Sequence, residues 1–240
     1  MPTAPGYTAE LDRSADRTQQ EERLTVRWQD GREEEMRLHE YGRVYAVPGL
    51  YEDVVQRQLE CASPDELADA LIAQAGDPPA LRVFDVGAGN GVVGDALRSR
   101  GVTAPMIGLD TEPEAGPAAE RDRPGLYERY LTAGLEELSV ADLVAEHDLN
   151  CFVAAGALGF GHITPEVLDG AWSAFPSGSW LAVTVPEELL SAEDDPMARY
   201  FAELRRGEHG TEVTHVDRFR HRLRMSGEPI FYDVIVARRT

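Results

Sequence analysis

Residues 82–97 read RVFDVGAGNGVVGDAL, an apolar run that breaks into glycines and resumes with helical spacing. Val83, Phe84 and Val86 are typical of a short buried strand, and apolar residues recur at helical intervals from Val92 onward. Glycines let a backbone approach a ligand closely, and the first turn of the following helix offers free amides. The order of strand, glycine turn and helix therefore predicts a cradle for a polar, ribose-bearing cofactor.

An aspartate at the end of the next predicted strand supports this interpretation. The apolar segment 105–110 predicts the next strand, and Asp110 ends it 19 residues beyond Gly91. In nucleotide-binding βαβ units, an acid at about this spacing of ~20 residues accepts hydrogen bonds from the ribose hydroxyls. The alternative is that Asp110 only caps the turn at Thr111, Glu112 and Pro113.

Composition limits the partners. The chain has 240 residues, 42% of them hydrophobic, which suits one α/β domain with an N-terminal appendage. It carries 23 basic and 43 acidic residues and a formal net charge of −20. This charge repels phosphate backbones and anionic lipids, so we expect neither nucleic acid nor membrane as a partner. The basic segment 218–224 alternates with apolar residues, which favours a strand with one solvated face over a binding patch.

Cysteine usage and the N-terminus bear on localisation. Cys61 and Cys151 are too few for a disulfide framework, which is typical of a reducing cytoplasm. The N-terminus lacks the basic, apolar and small-residue segments that follow one another in a signal peptide. No apolar run approaches the ~20 residues needed to span a bilayer. We therefore expect a cytoplasmic protein, with its oligomeric state undetermined.

The periodicity predicts three regions. Residues 1–23 are polar and predict a disordered or loosely attached tail. Residues 24–79 predict an N-terminal hairpin and a helical cap, and residues 80–240 predict the cofactor-binding domain. Five strands alternate with helices before a tightly joined pair of strands. The expected fold is a Rossmann-like α/β open sheet, mostly parallel, with a C-terminal antiparallel hairpin and helices on both faces.

The pattern VFDVGAGNG at 83–91, the strand IGLD at 107–110 and the terminal hairpin resemble the class I S-adenosylmethionine-dependent methyltransferases. The resemblance covers residues 80–238, and residues 156–166 are more weakly similar to the Williams-Beuren-region methyltransferase-like subgroup. It implies S-adenosylmethionine as cofactor and S-adenosylhomocysteine as product. The implied cofactor residues are Asp85, Gly87, Ala88, Gly89, Gly91, Asp110, Thr111, Leu135 and Gly156. The family often places an acid after the third strand to contact adenine, but residues 131–135 contain none.

Two alternatives stay open. Residues 89–94 also satisfy the three-glycine dinucleotide pattern, which raises a nicotinamide-linked oxidoreductase. That pattern fits less well because Gly87 already ends the strand and Asp110 lies only 16 residues past Gly94. A protein that binds S-adenosylmethionine for regulation or partner binding, without turnover, is the second alternative.

The acceptor side of the predicted site is less defined. His162 follows the fourth strand and is the candidate general base, since imidazole titrates near neutral pH; alternatively, it only fixes the glycine-rich loop. Tyr41, Tyr45 and Phe160 are candidate acceptor contacts, although both tyrosines can equally pack the hairpin onto the core. The sequence lacks the Asn-Pro-Pro-Tyr or Asp-Pro-Pro-Tyr segment with which members of the resembled family that methylate bases or glutamine amides hold the acceptor. With the acidic charge, the resemblance therefore implies methylation of a hydroxyl or amine on a small molecule such as a secondary metabolite. Metal-ligand spacing is lacking, so we expect no metal.

Overall fold

The computed structural model describes residues 6–14, 18–159, 163–192 and 194–240. Within them, seven strands form the main sheet in the order β6-β5-β4-β7-β8-β10-β9. Their bounds are Val83–Val86 (β4), Met106–Asp110 (β5), Tyr127–Thr132 (β6), Cys151–Ala155 (β7), Trp180–Pro186 (β8), Thr211–Leu223 (β9) and Pro229–Arg239 (β10).

Strand direction in this sheet matches the sequence prediction. The strands β4, β5, β6, β7 and β8 run parallel, while β10 is antiparallel to both β8 and β9. Every residue of β4 is buried, because the strand lies inside the sheet and is covered on both faces. The predicted open, mostly parallel sheet with a C-terminal antiparallel hairpin is confirmed.

Helices cover both faces of the main sheet. Residues of α2 and α3 pack with one side of the strands, and residues of α5, α6 and α8 pack with the other. Trp172 of α6 is fully buried, and its indole nitrogen donates to the Thr211 hydroxyl at 2.8 Å. The bounds are Ser63–Ala75 (α2), Val92–Ser99 (α3), Ala115–Asp122 (α4), Val140–His147 (α5), Pro165–Ser173 (α6), Glu187–Leu190 (α7) and Pro196–Arg205 (α8).

A smaller unit precedes the main sheet and is here called the cap. Its antiparallel sheet comprises β1 (Tyr7–Leu11), β2 (Arg23–Trp28) and β3 (Glu33–Arg37). Helix α1 (Tyr41–Ala46) and a π-helical segment (Glu52–Gln58) follow. The predicted hairpin is present, with Gly31 in its turn at a positive φ of 87°.

The expectation of a disordered tail over residues 1–23 does not hold for β1. All five of its residues pair with β2, and the side chains of Tyr7 and Leu11 are buried among the apolar residues of the cap. The polar composition of the segment concealed two buried side chains spaced for one face of a strand. The cap therefore begins before residue 24.

A buried ion pair connects the cap to the main sheet. The guanidinium of Arg222 in β9 lies 2.7 Å from the carboxylate of Glu22, and both side chains are 4% exposed. The second carboxylate oxygen of Glu22 accepts from the Met225 amide at 2.7 Å. Because both charges are compensated, the pair tolerates burial and fixes the cap against the end of β9.

Helix α2 begins at Ser63, with Ala62 at the N-cap position. The Ser63 hydroxyl lies 2.6 Å from Nδ1 of His221 and is therefore used in a tertiary contact.

Within the described parts of the chain, no helix combines the length and apolar character needed to cross a membrane.

Candidate functional site

The glycine loop joins β4 to α3 in a conformation that side chains rarely adopt. Gly87, Gly89 and Gly91 have φ values of 71°, 53° and 90°. A Cβ atom on Gly87 would lie 2.6 Å from the Cβ of Ala157, and one on Gly89 would collide with the Tyr45 hydroxyl. Both conformation and space therefore require glycine at these positions.

Asp110 ends β5 beside this loop. Its Oδ2 accepts from the Gly89 amide at 2.9 Å, and its Oδ1 accepts from the Glu112 amide at 2.9 Å. Burial raises the pKa of the Asp110 carboxyl group, while these amides favour the ionised form. Each carboxylate oxygen retains a further lone pair, so the group can also accept from a pair of ligand hydroxyls.

Asp85 lies beneath the glycine loop. Its side chain is fully buried, and its Oδ2 accepts from the Tyr127 hydroxyl of β6 at 2.7 Å. Burial raises the pKa of the Asp85 carboxyl group to about 7. The structure thus places this carboxyl group below the loop and bonds it to protein.

A cavity of about 330 Å³ opens in front of the glycine loop and under the cap. This volume falls within the usual range of ligand sites, roughly 300–1,000 Å³. Nine of the predicted site residues line it: Gly87, Ala88, Gly89, Asp110, Thr111, Leu135, Gly156, Tyr41 and Tyr45.

Two described residues of the predicted site, Asp85 and Gly91, do not line the cavity: Asp85 bonds Tyr127, and Gly91 forms the N-cap of α3. Phe160 and His162 lie outside the described residues. The cavity therefore unites most of the predicted cofactor residues with Tyr41 and Tyr45 of the cap.

The cap reaches the glycine loop directly. Asn90 is 1% exposed and donates from Nδ2 to Glu52 of the cap at 2.5 Å. Arg123, after α4, donates to the same Glu52 oxygen at 2.8 Å and to the Asn90 carbonyl at 2.9 Å. These contacts hold the loop and the cap in one polar network.

Three tyrosines of the cap form an aromatic wall of the cavity. The rings of Tyr41 and Tyr45 stack at 6.0 Å, and those of Tyr45 and Tyr51 lie 5.3 Å apart. Burial raises the pKa of Tyr41 to about 12 and raises the pKa values of Tyr45 and Tyr51 well above the ordinary range. All three phenols are therefore neutral near pH 7.

Sequence reasoning missed several polar residues of the cavity. Glu136 follows directly after the segment searched for an adenine-contacting acid, and a Cβ on Gly134 would come within 2.5 Å of its carboxylate. Extending the search by one residue would have found it. Ser63 and His221 are 158 residues apart in sequence, so no local signal links them.

Among the described residues, one group of side chains has metal-compatible spacing: Glu203, Glu208 and His209. The His209 ring lies 3.0 Å from Asp169 and 2.9 Å from Glu203, so each ring nitrogen already faces a carboxylate. These carboxylates raise the pKa of the His209 imidazole. When protonated, the ring places its positive charge between these carboxylates.

Comparison with solved structures identifies proteins that share the fold of this chain. No protein-family model matches the chain, and no curated protein matches it. Similar solved structures include magnesium protoporphyrin IX methyltransferase from Synechocystis PCC 6803 with bound S-adenosylmethionine, at 18% identity and a TM-score of 0.51. That match covers 74% of this chain and 78% of the other.

Two further solved structures have a similar fold. A proposed RNA methyltransferase from Pyrococcus horikoshii has a TM-score of 0.53 at 18% identity, covering 74% of this chain and 81% of the other. A proposed S-adenosylmethionine-dependent methyltransferase from Listeria monocytogenes has a TM-score of 0.52 at 14% identity, covering 75% and 99%. The chain has the class I methyltransferase fold, as the sequence resemblance implied.

Proposed function

We propose that this protein is an S-adenosylmethionine-dependent methyltransferase that methylates a hydroxyl or amine of a small molecule. The observation that carries the proposal is the Asp110 carboxylate, bonded to the Gly89 amide at the edge of a cavity of about 330 Å³. In folds of this type, ligands bind beyond the carboxyl ends of the parallel strands, where β4 and β5 end here.

The residues present fit the proposed cofactor. Asp110 has free lone pairs for two ribose hydroxyls, and Thr111 and Leu135 line the adjacent wall. A Cβ on Gly156 would have no atom within 4 Å, so open space lies above this residue for a ligand. The carboxylates of Glu112 and Glu136 also line the cavity and suit a ligand with positive charge.

Methyl transfer requires mainly that the acceptor be aligned with the methyl group of the cofactor. When bound, S-adenosylmethionine would supply a methyl group that is activated by the positively charged sulfur. The protein then has to hold the acceptor in line with that methyl and exclude water, which contributes to rate through orientation. Tyr41 and Tyr45 cover the cavity from the cap and suit this role. His162 stays a prediction as general base; an unchanged pH profile of turnover in His162→Gln would contradict it.

The acidic charge supports a small acceptor. A net charge of −20 disfavours the close approach of nucleic acid, and the cavity lies under the cap. Fold similarity to nucleic-acid or porphyrin methyltransferases does not decide among acceptors, because one fold serves many substrates.

Calorimetric titration with S-adenosylmethionine, S-adenosylhomocysteine and NAD tests the cofactor assignment. We expect the first two to bind, and we expect Asp110→Ala to weaken them by about 10- to 100-fold, since hydrogen bonds to charged groups contribute about 1.5–3 kcal/mol. Asp142→Ala, an exposed substitution on α5, is the matched control and should bind normally. A preference for NAD, or unchanged affinity in Asp110→Ala, would overturn the assignment.

Methyl-labelled S-adenosylmethionine tests the acceptor class. The protein is incubated with separated metabolite, protein and RNA fractions of a cell extract. Label in the metabolite fraction supports a small acceptor, whereas label in the protein or RNA fraction contradicts it. Cofactor binding without transfer to any fraction would favour the regulatory alternative.

A further inference from the structure

The cavity extends from the glycine loop to a second polar group around His221. This histidine lies near the end of β9 and is 8% exposed. Its Nδ1 lies 2.6 Å from the Ser63 hydroxyl, and its ring stacks on Tyr232 with centroids 3.9 Å apart and an interplanar angle of 19°. The contacts on both sides fix the orientation of the imidazole.

The other ring nitrogen of His221 is left for a ligand. Among the residues that the structure describes, no atom is hydrogen bonded to Nε2. His221 lines the same cavity as Gly89 and Asp110. His221 is 8% exposed and lines the cavity, so this nitrogen is open to a ligand or water there. If the Ser63 hydroxyl donates to Nδ1, Nε2 carries the proton and is a donor; if Nδ1 donates to Ser63, Nε2 is an acceptor.

The surroundings of His221 carry no net charge. The guanidinium of Arg222 is paired with Glu22 at 2.7 Å and also donates to the Leu223 carbonyl at 2.8 Å. Burial lowers the pKa of His221 to about 3, so the imidazole is neutral at physiological pH. Burial also raises the pKa of the Cys61 thiol, which is therefore protonated. A charged acceptor placed here would lose its hydration without gaining a counter-charge.

The walls are aromatic and flat. Tyr41 and Tyr51 of the cap line the cavity, as do the stacked rings of His221 and Tyr232. Aromatic rings pack best against other planar groups. The shape of this region therefore favours a planar acceptor over a branched aliphatic one.

We propose that Tyr41, Tyr51, Ser63, His221 and Tyr232 form an acceptor chamber that binds an uncharged planar molecule through a hydroxyl on Nε2 of His221. The inference rests on the proposed methyltransferase function and names its substrate class. Ser63 is a positioning residue, because it acts by holding the His221 ring. This end of the cavity differs in character from the acidic end around Asp110, where the cofactor would bind.

The probes for this proposal are catechol, 2-naphthol and 7-hydroxycoumarin, each paired with its fully methylated ether. Calorimetry is performed on protein saturated with S-adenosylhomocysteine. We expect at least one hydroxyl compound to bind about tenfold more tightly than its ether. Long-range proton–nitrogen spectra should show the Nε2 resonance of His221 move with the hydroxyl compound and stay in place with the ether.

His221→Phe keeps an aromatic ring and removes the hydrogen bond. It should abolish the preference for the hydroxyl compound while leaving affinity for S-adenosylhomocysteine unchanged. His215→Phe is the matched control, because it lies on the same strand outside the cavity and should behave as wild type. If His221→Phe does not fold, Ser63→Ala replaces it and should reduce the preference and shift the Nδ1 resonance.

Three outcomes would overturn the proposed acceptor chamber. They are no binding by any probe, the same preference for the hydroxyl compound in His221→Phe as in wild type, or no shift of the His221 Nε2 resonance when the hydroxyl compound binds. Failure of S-adenosylhomocysteine to bind would instead contradict the proposed function. In that case the probes are titrated into the protein alone, and the behaviour of His221 still decides whether the chamber binds hydroxyl compounds.

Discussion

The buried carboxyl group of Asp85 predicts a specific dependence of stability on pH. Burial raises its pKa to about 7 in the folded protein, although the Tyr127 hydroxyl at 2.7 Å favours the ionised form. In an unfolded chain the pKa of an aspartate is about 3.9. This difference of about three in pKa corresponds to about 4 kcal/mol of stability that depends on protonation.

The sign follows from which state binds the proton more tightly. Because the folded pKa of Asp85 is the higher one, the protonated carboxyl group stabilises the fold below about pH 4. That stability is lost as the pH rises through about 7, and about 2 kcal/mol of the loss falls between about pH 5.5 and 8.5. Asp85→Asn cannot ionise, so it should gain this amount relative to wild type over the same range.

Urea unfolding at four pH values between about 5.5 and 8.5 measures the effect. Tryptophan fluorescence and far-ultraviolet circular dichroism should report coincident transitions if unfolding has two states. The range begins above the isoelectric point of 4.6, since low net charge promotes association. Asp142→Asn on the exposed face of α5 controls for the loss of a charge. A constant difference between Asp85→Asn and wild type across the range would refute the reasoning.

Three further substitutions test other parts of the structure. Glu22→Gln leaves Arg222 buried without a counter-charge, so urea unfolding should show a loss of about 3–5 kcal/mol. Gly89→Val places a side chain in the cradle at a φ of 53°, so calorimetry should show S-adenosylhomocysteine affinity reduced at least about tenfold. His209 has a raised pKa, so its stabilising charge is present below about pH 6.5 and lost as pH rises through the raised value. Glu203→Gln should lower that pKa in a proton NMR titration of the ring.

The arrangement of the glycine loop and Asp110 was predictable because its signals are local. The glycines at 87–91 must adopt positive φ values, and Asp110 follows at a characteristic spacing. The alternation of strands and helices also predicted the mostly parallel sheet with its C-terminal antiparallel hairpin, but not the order of its strands. Placing Asp85 required the structure, because only tertiary packing reveals that Tyr127 bonds its carboxyl group beneath the loop.

The other end of the cavity was not predictable, because distant segments build it. His221 and Ser63 meet only after the last two strands have returned to the sheet and packed beside α2. The strand β1 was missed for a related reason: its two buried side chains gain their partners only from β2 and the π-helical segment. A single sequence carries no record of contacts formed across such separations.

The cap connects these two ends of the cavity. Its Glu52 bonds Asn90 in the glycine loop at 2.5 Å, and Glu22, between β1 and β2, bonds Arg222 beside His221 at 2.7 Å. A shift of the cap would therefore disturb the glycine loop and the proposed acceptor chamber together. Tyrosines of the cap also line both regions. Tyr45 contacts Gly89 in the glycine loop, and Tyr41, one helical turn earlier, stacks on the Tyr45 ring. Acceptor specificity in this protein should thus depend as much on the cap as on the sheet.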